Sequence, residues 1–215
     1  MERATFWYHR VVAPARVVVF MDYQNVHGSA LRAFWPRGTH PANGHIDPYR
    51  LGQLIVQKRT TNGYPSRLAQ VRIYRGAPNP RRQPAAAAAN DRQSDAWTRS
   101  PKVLVRRRPL RYPTRWPHEP AVEKGIDVAL AVDILRLAAV DDSYDVGVVF
   151  SGDTDLVPAI EAVQELKCGH IEVAAWRGGG GRLRIDGTSS PWCHWLDESD
   201  YQAVLDTTDY SRPRA

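Results

Sequence analysis

Two short runs constrain this chain most. Arg16-Val-Val-Val-Phe-Met21 and Val146-Gly-Val-Val-Phe150 are continuous apolar segments rich in β-branched residues. They read as strands buried on both faces rather than as alternating surface strands. Strands of that kind belong to parallel sheets, whose crossover helices cover both sides. Each run stops at acid. Asp22-Tyr-Gln-Asn25 follows the first, and Ser151-Gly-Asp153-Thr-Asp155 follows the second. Open α/β sheets place their sites at strand carboxyl ends, where these acids fall.

The remaining segments fit the same architecture. Residues 1–15 read as an N-terminal arm. Ala30–Trp35 reads as a short helix capped by Ser29 or Asn25. Asp47-Pro48 has the form of an N-cap followed by a first-turn proline, opening a helix over about 48–60. Arg67–Arg75 alternates as a second strand, and Val103–Arg106 makes a short third one. Between them, about 76–102 looks like a Pro/Ala/Arg-rich insertion around a helix near 85–99. Residues 106–120 read as extended and irregular. Val128–Ala139 and Leu156–Lys167 are helices, and Ile171–Trp176 is a fifth strand. A helix near 198–206 and a tail close the chain. The expected domain is 16–197, an α/β fold with a mostly parallel sheet of about five strands and right-handed crossovers.

Composition narrows the classes. The 215 residues suit one domain, and 43% hydrophobic content with seven Trp supports a core. No apolar run is long enough for a membrane helix, and the N-terminus does not read as a secretory leader. Cys168 and Cys193 form neither a disulfide framework nor a zinc spacing, so a reducing cytoplasmic setting is expected. Net charge is +6, carried almost entirely by arginine, with four Lys. That bias suggests a GC-rich bacterial genome.

The acids form the chemical constellation. Asp22, Asp127 at the start of the central helix, and Asp153 with Asp155 all fall at one edge of a parallel sheet. An all-oxygen cluster suits Mg²⁺ or Mn²⁺, which would relieve the repulsion and generate hydroxide from water. A single Asp after a strand is more often a helix cap; recurrence at three element ends favours a shared site. Asn25, Ser151 and Thr154 are placed to support the carboxylates. Asp133 lies about 120° round the helix from Asp127, so it reads as secondary or as a partner of Arg136. His27 reads as structural.

Between Arg75 and Arg115 stand eleven Lys/Arg and two acids. Arg106, Arg107, Arg108 and Arg111 interleave with Tyr112 and Trp116, a pattern suited to phosphate contacts and base stacking on single-stranded nucleic acid. Lys124, just before Asp127, is placed to touch a phosphate. Arg177, Arg182 and Arg184, around Gly178–Gly181, could extend that path.

Three motifs together, Asp22-x-x-Asn25, Lys124-Gly-Ile-Asp127-Val-Ala-Leu-Ala-Val-Asp133 and Ser151-Gly-Asp-Thr-Asp155-Leu, resemble the NYN domain, a branch of the PIN-like nucleases. The resemblance implies a Rossmann-like three-layer sandwich and a metal-dependent ribonuclease. It implies Asp22, Asp127, Asp153 and Asp155 as metal ligands, Asn25 as a supporting residue, and products with a 5′-phosphate and a 3′-hydroxyl. The expected partner is RNA, with no membrane; the oligomeric state stays open, a homodimer included. The competing class is a non-catalytic RNA- or DNA-binding module.

Overall fold

The computed structural model describes residues 13–185 and 191–212. All but the last three residues of the expected 1–15 arm lie outside that range. In chain order the elements are β1 (Ala15–Asp22), α1 (Tyr23–Phe34), α2 (Pro48–Thr61), β2 (Ser66–Ala77), α3 (Pro84–Trp97) and β3 (Val103–Pro109). Then come α4 (Ile126–Ala139), β4 (Val146–Phe150), a 3-10 turn (Thr154–Leu156), α5 (Val157–Glu165), β5 (His170–Trp176), β6 (Cys193–Leu196) and α6 (Glu198–Val204). The strands form one sheet in the order β3-β2-β1-β4-β5-β6, and every neighbouring pair is parallel. The order reverses between β1 and β4, which is where such sheets open a crevice.

Strand alternation builds the two cores. Val17, Val19 and Met21 of β1 face Val26 and Ala30 of α1 and Leu51 and Ile55 of α2. Val18 and Phe20 face Leu130 and Ile134 of α4 and Ile160 and Val163 of α5. The result is the three-layer α/β sandwich expected from the buried runs. Each such side chain contributes about 1.5–3 kcal/mol when removed from water.

Four details depart from expectation. The sheet has six strands rather than about five; Cys193-His-Trp-Leu196 is too short for a periodicity signal. Helix α1 starts at Tyr23 rather than Ala30, and Asp22, not Ser29 or Asn25, caps it. Burial of Tyr23, Val26 and Ala30 against the sheet overrides the weak helix propensity of Asn25 and Gly28. Strand β3 continues to Pro109, pairing Arg106–Pro109 with Tyr74–Ala77 where an irregular segment was expected. As an edge strand it tolerates three solvent-facing arginines and a terminal proline. The segment 76–102 carries α3 and is the β2–β3 crossover itself.

Ion pairs tie the layers together. Glu172 of β5 is 2% exposed. It accepts from Arg59 Nε of α2 at 3.0 Å and lies 2.8 Å from His194 Nε2 of β6. Asp133 of α4 accepts from Arg72 Nη1 and Tyr74 Oη of β2, each at 2.7 Å. Arg16 pairs with Asp145 and Asp142, each at 2.8 Å, binding the start of β1 to the turn before β4.

Glu172 supplies an acid-sensitive contribution. Burial alone would raise its pKa, but His170, His194 and Arg59 override that and bring it from 4.5 to about 2. A carboxylate held low stabilises the fold above its unfolded pKa and loses that contribution as pH falls through the folded one. Glu172→Gln is expected to cost about 3 kcal/mol at neutral pH, because Arg59 is left buried and unpaired. It should also flatten the loss of stability between pH 4.5 and about 2. Denaturant unfolding across that pH range checks both. Asp133→Asn should cost a similar amount, about 3 kcal/mol, by stranding Arg72, again read by denaturant unfolding.

Candidate active site

The site is built outward from Asp22, the last residue of β1, which is 2% exposed. Its Oδ1 accepts the backbone N–H of Asn25 at 3.3 Å, which starts α1. Its Oδ2 accepts from the Asn25 side-chain amide and from Ser151 Oγ at 3.1 Å. Ser151 Oγ in turn accepts the Asp153 N–H at 3.1 Å. Asp153 Oδ1 accepts the Asp155 N–H at 2.9 Å and caps the 3-10 turn. One chain of hydrogen bonds therefore runs from the end of β1 to the end of β4. Capping and a shared site coexist here, since a carboxylate oxygen keeps a second lone pair after accepting one bond.

Asp127 arrives from the other side, in the first turn of α4. Gly125 precedes the helix with φ +74°, a left-handed turn that glycine adopts without strain. Asp127 is pushed above the usual carboxylate range, first by burial and then by the charges of Asp22, Asp153 and Asp155. Glu123 is also pushed up, mainly by burial, with Asp22 and Asp127 adding to it and the Gly76 N–H opposing. Its Oε1 accepts that N–H at 2.6 Å. Asp22, Glu123, Asp127, Asp153 and Asp155 are thus linked by charge repulsion around the crevice between β1 and β4.

As the side chains stand, no three His, Cys, Asp or Glu among the described residues converge closely enough to hold a metal ion. Like charges spread apart unless a cation lies between them. The donor chemistry suits a hard divalent ion, since every acid supplies oxygen and no sulfur or imidazole belongs to the group.

Beside the acids lies a cleft of about 190 Å³, lined among others by Asn25, Ser29, Arg32, Ser151, Trp176 and Gly179. The glycine run forms one wall. A β-carbon at Gly179 would come within 2.5 Å of the Ser29 carbonyl oxygen, so only glycine lets this loop approach α1. Arg32 Nε donates to the Gly179 carbonyl at 3.2 Å and holds the wall.

The remaining sequence candidates divide. Thr154 and Lys124 are exposed next to the acids. Asp133 is engaged by Arg72, Tyr74, Arg106 and Arg136 on the β2 side of α4, which matches the expected Arg136 pairing. Arg106, Arg107 and Arg108 are exposed on β3. Arg106 lies 3.8 Å from Asp133, Arg107 pairs with Asp91, and Arg108 donates to the Gly125 carbonyl at 3.3 Å. Arg111 is exposed and its backbone bridges to Val122. Tyr112 accepts the Asn79 N–H at 2.8 Å and donates to Gln83 at 2.7 Å. Arg82 lies over its ring, and Trp116 meets it edge-on at 5.0 Å. Tyr112 thus fastens the start of the β2–α3 connection.

The basic tract is also smaller than its charge count. Arg75 is half-buried against Tyr23 and Trp97, and desolvation lowers its pKa. Arg92 and Lys102 donate to backbone carbonyls at 2.7 and 2.8 Å. His27 packs structurally, stacked on Tyr23 and His45, with Nε2 2.7 Å from the Asn43 carbonyl. Glu123 was not among the sequence candidates. Its one signal was an acid four residues before Asp127; its contact to Gly76 spans 47 positions and has no local signature.

The family model of the NYN domain matches residues 16–179. A crystal structure of a protein of unknown function from Vibrio parahaemolyticus RIMD 2210633 is similar in fold, with a TM-score of 0.53 and 15% identity over 89% of this chain and 96% of that one. The curated proteins give no match. With three quarters of its length under the family model, and with its acids on a parallel six-stranded sheet, the chain belongs to the NYN domain family of the PIN-like superfamily, which is generally a nuclease family.

Proposed function

We propose that the protein is a ribonuclease that hydrolyses single-stranded RNA internally and depends on Mg²⁺ or Mn²⁺. The observation that carries this reading is the placing of carboxylates from three separate elements around the β1–β4 crevice, near enough that Asp22, Asp153 and Asp155 add to the upward push on Asp127. Asp22, Asp127, Asp153 and Asp155 are the residues that would hold the metal, directly or through water. When bound, such an ion supplies an activated water and neutralises charge on the phosphoryl group.

The chain's own residues do the rest. Asn25 and Ser151 fix the orientation of the Asp22 carboxylate. Thr154 is exposed between Asp153 and Asp155, and Lys124 is available to a phosphate. Arg107 and Arg108, with Arg106 and Arg111, present positive charge from the β3 edge, and electrostatic attraction of a polyanion needs no regular secondary structure. Tyr112 and Trp116 border that edge as candidate contacts. No helix among the described residues is long and apolar enough to cross a membrane. The free thiols of Cys168 and Cys193 accord with a cytoplasmic location.

One observation favours a second reading, a nucleic-acid-binding module without catalysis: both Asp22 and Asp153 already serve as caps. A labelled single-stranded RNA separates the two. The nuclease reading expects cleavage with Mg²⁺ or Mn²⁺, none with EDTA, and a loss of at least about 100-fold in rate for Asp153→Asn and Asp127→Asn, within the several kcal/mol such ions supply. RNA binding without cleavage in either metal would establish the module instead. Arg107→Ala and Arg108→Ala are each expected to lower the slope of log affinity against log salt by about 0.7, one phosphate contact apiece, as read by fluorescence anisotropy.

A further inference from the structure

Three aromatic side chains stand exposed on a surface that the acid site does not use. Among the described residues, the exposed large hydrophobics include Tyr64 at 56%, Trp192 at 40% and Trp195 at 37% exposure, and no other aromatic. Trp195 lies on β6 and Trp192 just before it, while Tyr64 comes from the turn between α2 and β2. Tyr64 and Trp192 sit 6.2 Å apart, and Trp192 packs 4.4 Å from His194. Arg59 lies 5.2 Å from the centre of the Tyr64 ring, and Arg177 lies 5.9 Å from the centre of Trp195. Beside Trp192 and Trp195 runs a groove of about 500 Å³, lined also by Leu54, Lys58 and Arg177 among others, and Tyr64 stands next to it against Trp192. Among the described residues lining it there is no carboxylate; Lys58 pairs with Asp200 behind it.

The groove and the cleft beside Ser151 share no lining residue but meet in the chain at Trp176-Arg177. Trp176 and Gly179 line the cleft beside Ser151, and Arg177 between them lines the groove. The Arg177 N–H is pinned to the Leu196 carbonyl at 2.7 Å, at the carboxyl end of β6. Of the groove residues, Arg177 is the one adjacent in the chain to the cleft.

We propose that the β6 edge is a stacking groove for single-stranded RNA running out of the carboxylate site. The chemistry is that of sequence-tolerant strand binding, in which aromatic faces take bases and cations track phosphates. The proposal rests on the nuclease reading for the identity of the strand, and it moves the stacking role from Tyr112 and Trp116, whose rings are engaged with the α3 connection, to Trp192, Trp195 and Tyr64. Positive charge then sits at the β3 edge and stacking at the β6 edge, with the acids between. Five strand spacings separate the two edges, about 24 Å.

The test is binding and photo-cross-linking of an oligouridylate of about 12 nucleotides containing 4-thiouridine, with Asp153→Asn protein so that the strand stays whole. Cross-links are expected in the peptides carrying Trp192, Trp195 and Tyr64. The double variant Trp192→Ala/Trp195→Ala is expected to raise Kd at least about tenfold, given the usual worth of a stacked base. Trp195→Phe, which keeps a ring, should retain most of the affinity and so separates stacking from misfolding. Arg177→Gln should lower the salt slope by about 0.7. Unchanged affinity in the double variant, or cross-links confined to residues 106–116, overturns the groove. Groove cross-links in a protein that cuts no RNA would sink the nuclease reading alone; cleavage without such cross-links would sink the groove alone.

Discussion

Repulsion between carboxylates at the point where the strand order reverses governs this structure. Asp22 is held almost out of solvent at the end of β1, and Asp153, Asp155 and Asp127 are brought towards it from β4 and α4. A fold gains nothing from gathering like charges, so the surrounding elements have to be fixed by other means. Asn25 and Ser151 clamp Asp22. Arg16 bolts β1 to the turn before β4, and Arg72 and Tyr74 bolt α4 to β2 through Asp133. The acids thus sit among elements fixed by compensated ion pairs elsewhere, and the proposed cation is what would offset their charge.

That division explains why Asp133 and Asp127, on the same helix, behave oppositely. Asp133 faces β2, where burial is outweighed by the Tyr74 hydroxyl and the charges of Arg72, Arg106 and Arg136, and its pKa falls. Asp127 faces other carboxylates, and its pKa rises. One acid serves packing and the other stands among like charges. Helical geometry alone separated the two, since 3.6 residues per turn puts positions six apart on different faces.

Much of this was legible in the sequence, where the signal was local. The buried runs Arg16–Met21 and Val146–Phe150 named their strands, and the acids after them named the crevice. The family motifs carried the rest of the candidate acids except Glu123. What escaped depended on contacts distant in sequence. Helix α1 begins seven residues earlier than its composition suggests because the sheet buries Tyr23 and Val26. Strand β3 extends through three arginines because β2 offers it a partner. Strand β6 is four residues long and becomes visible only when β5 pairs with it. The arginine count also misled, because Arg75, Arg92 and Lys102 spend their charge inside the fold or on backbone carbonyls.

The sheet order gives these pieces a spatial logic, with basic side chains on one edge strand, aromatic ones on the other, and acids where the order reverses between them. The central claim is that those acids share one divalent cation. Anomalous diffraction from a crystal soaked in Mn²⁺ tests it most directly. The account predicts a peak enclosed by Asp22, Asp127, Asp153 and Asp155, lost in Asp153→Asn. A well-ordered site with no peak there, or with manganese bound only elsewhere, would contradict it.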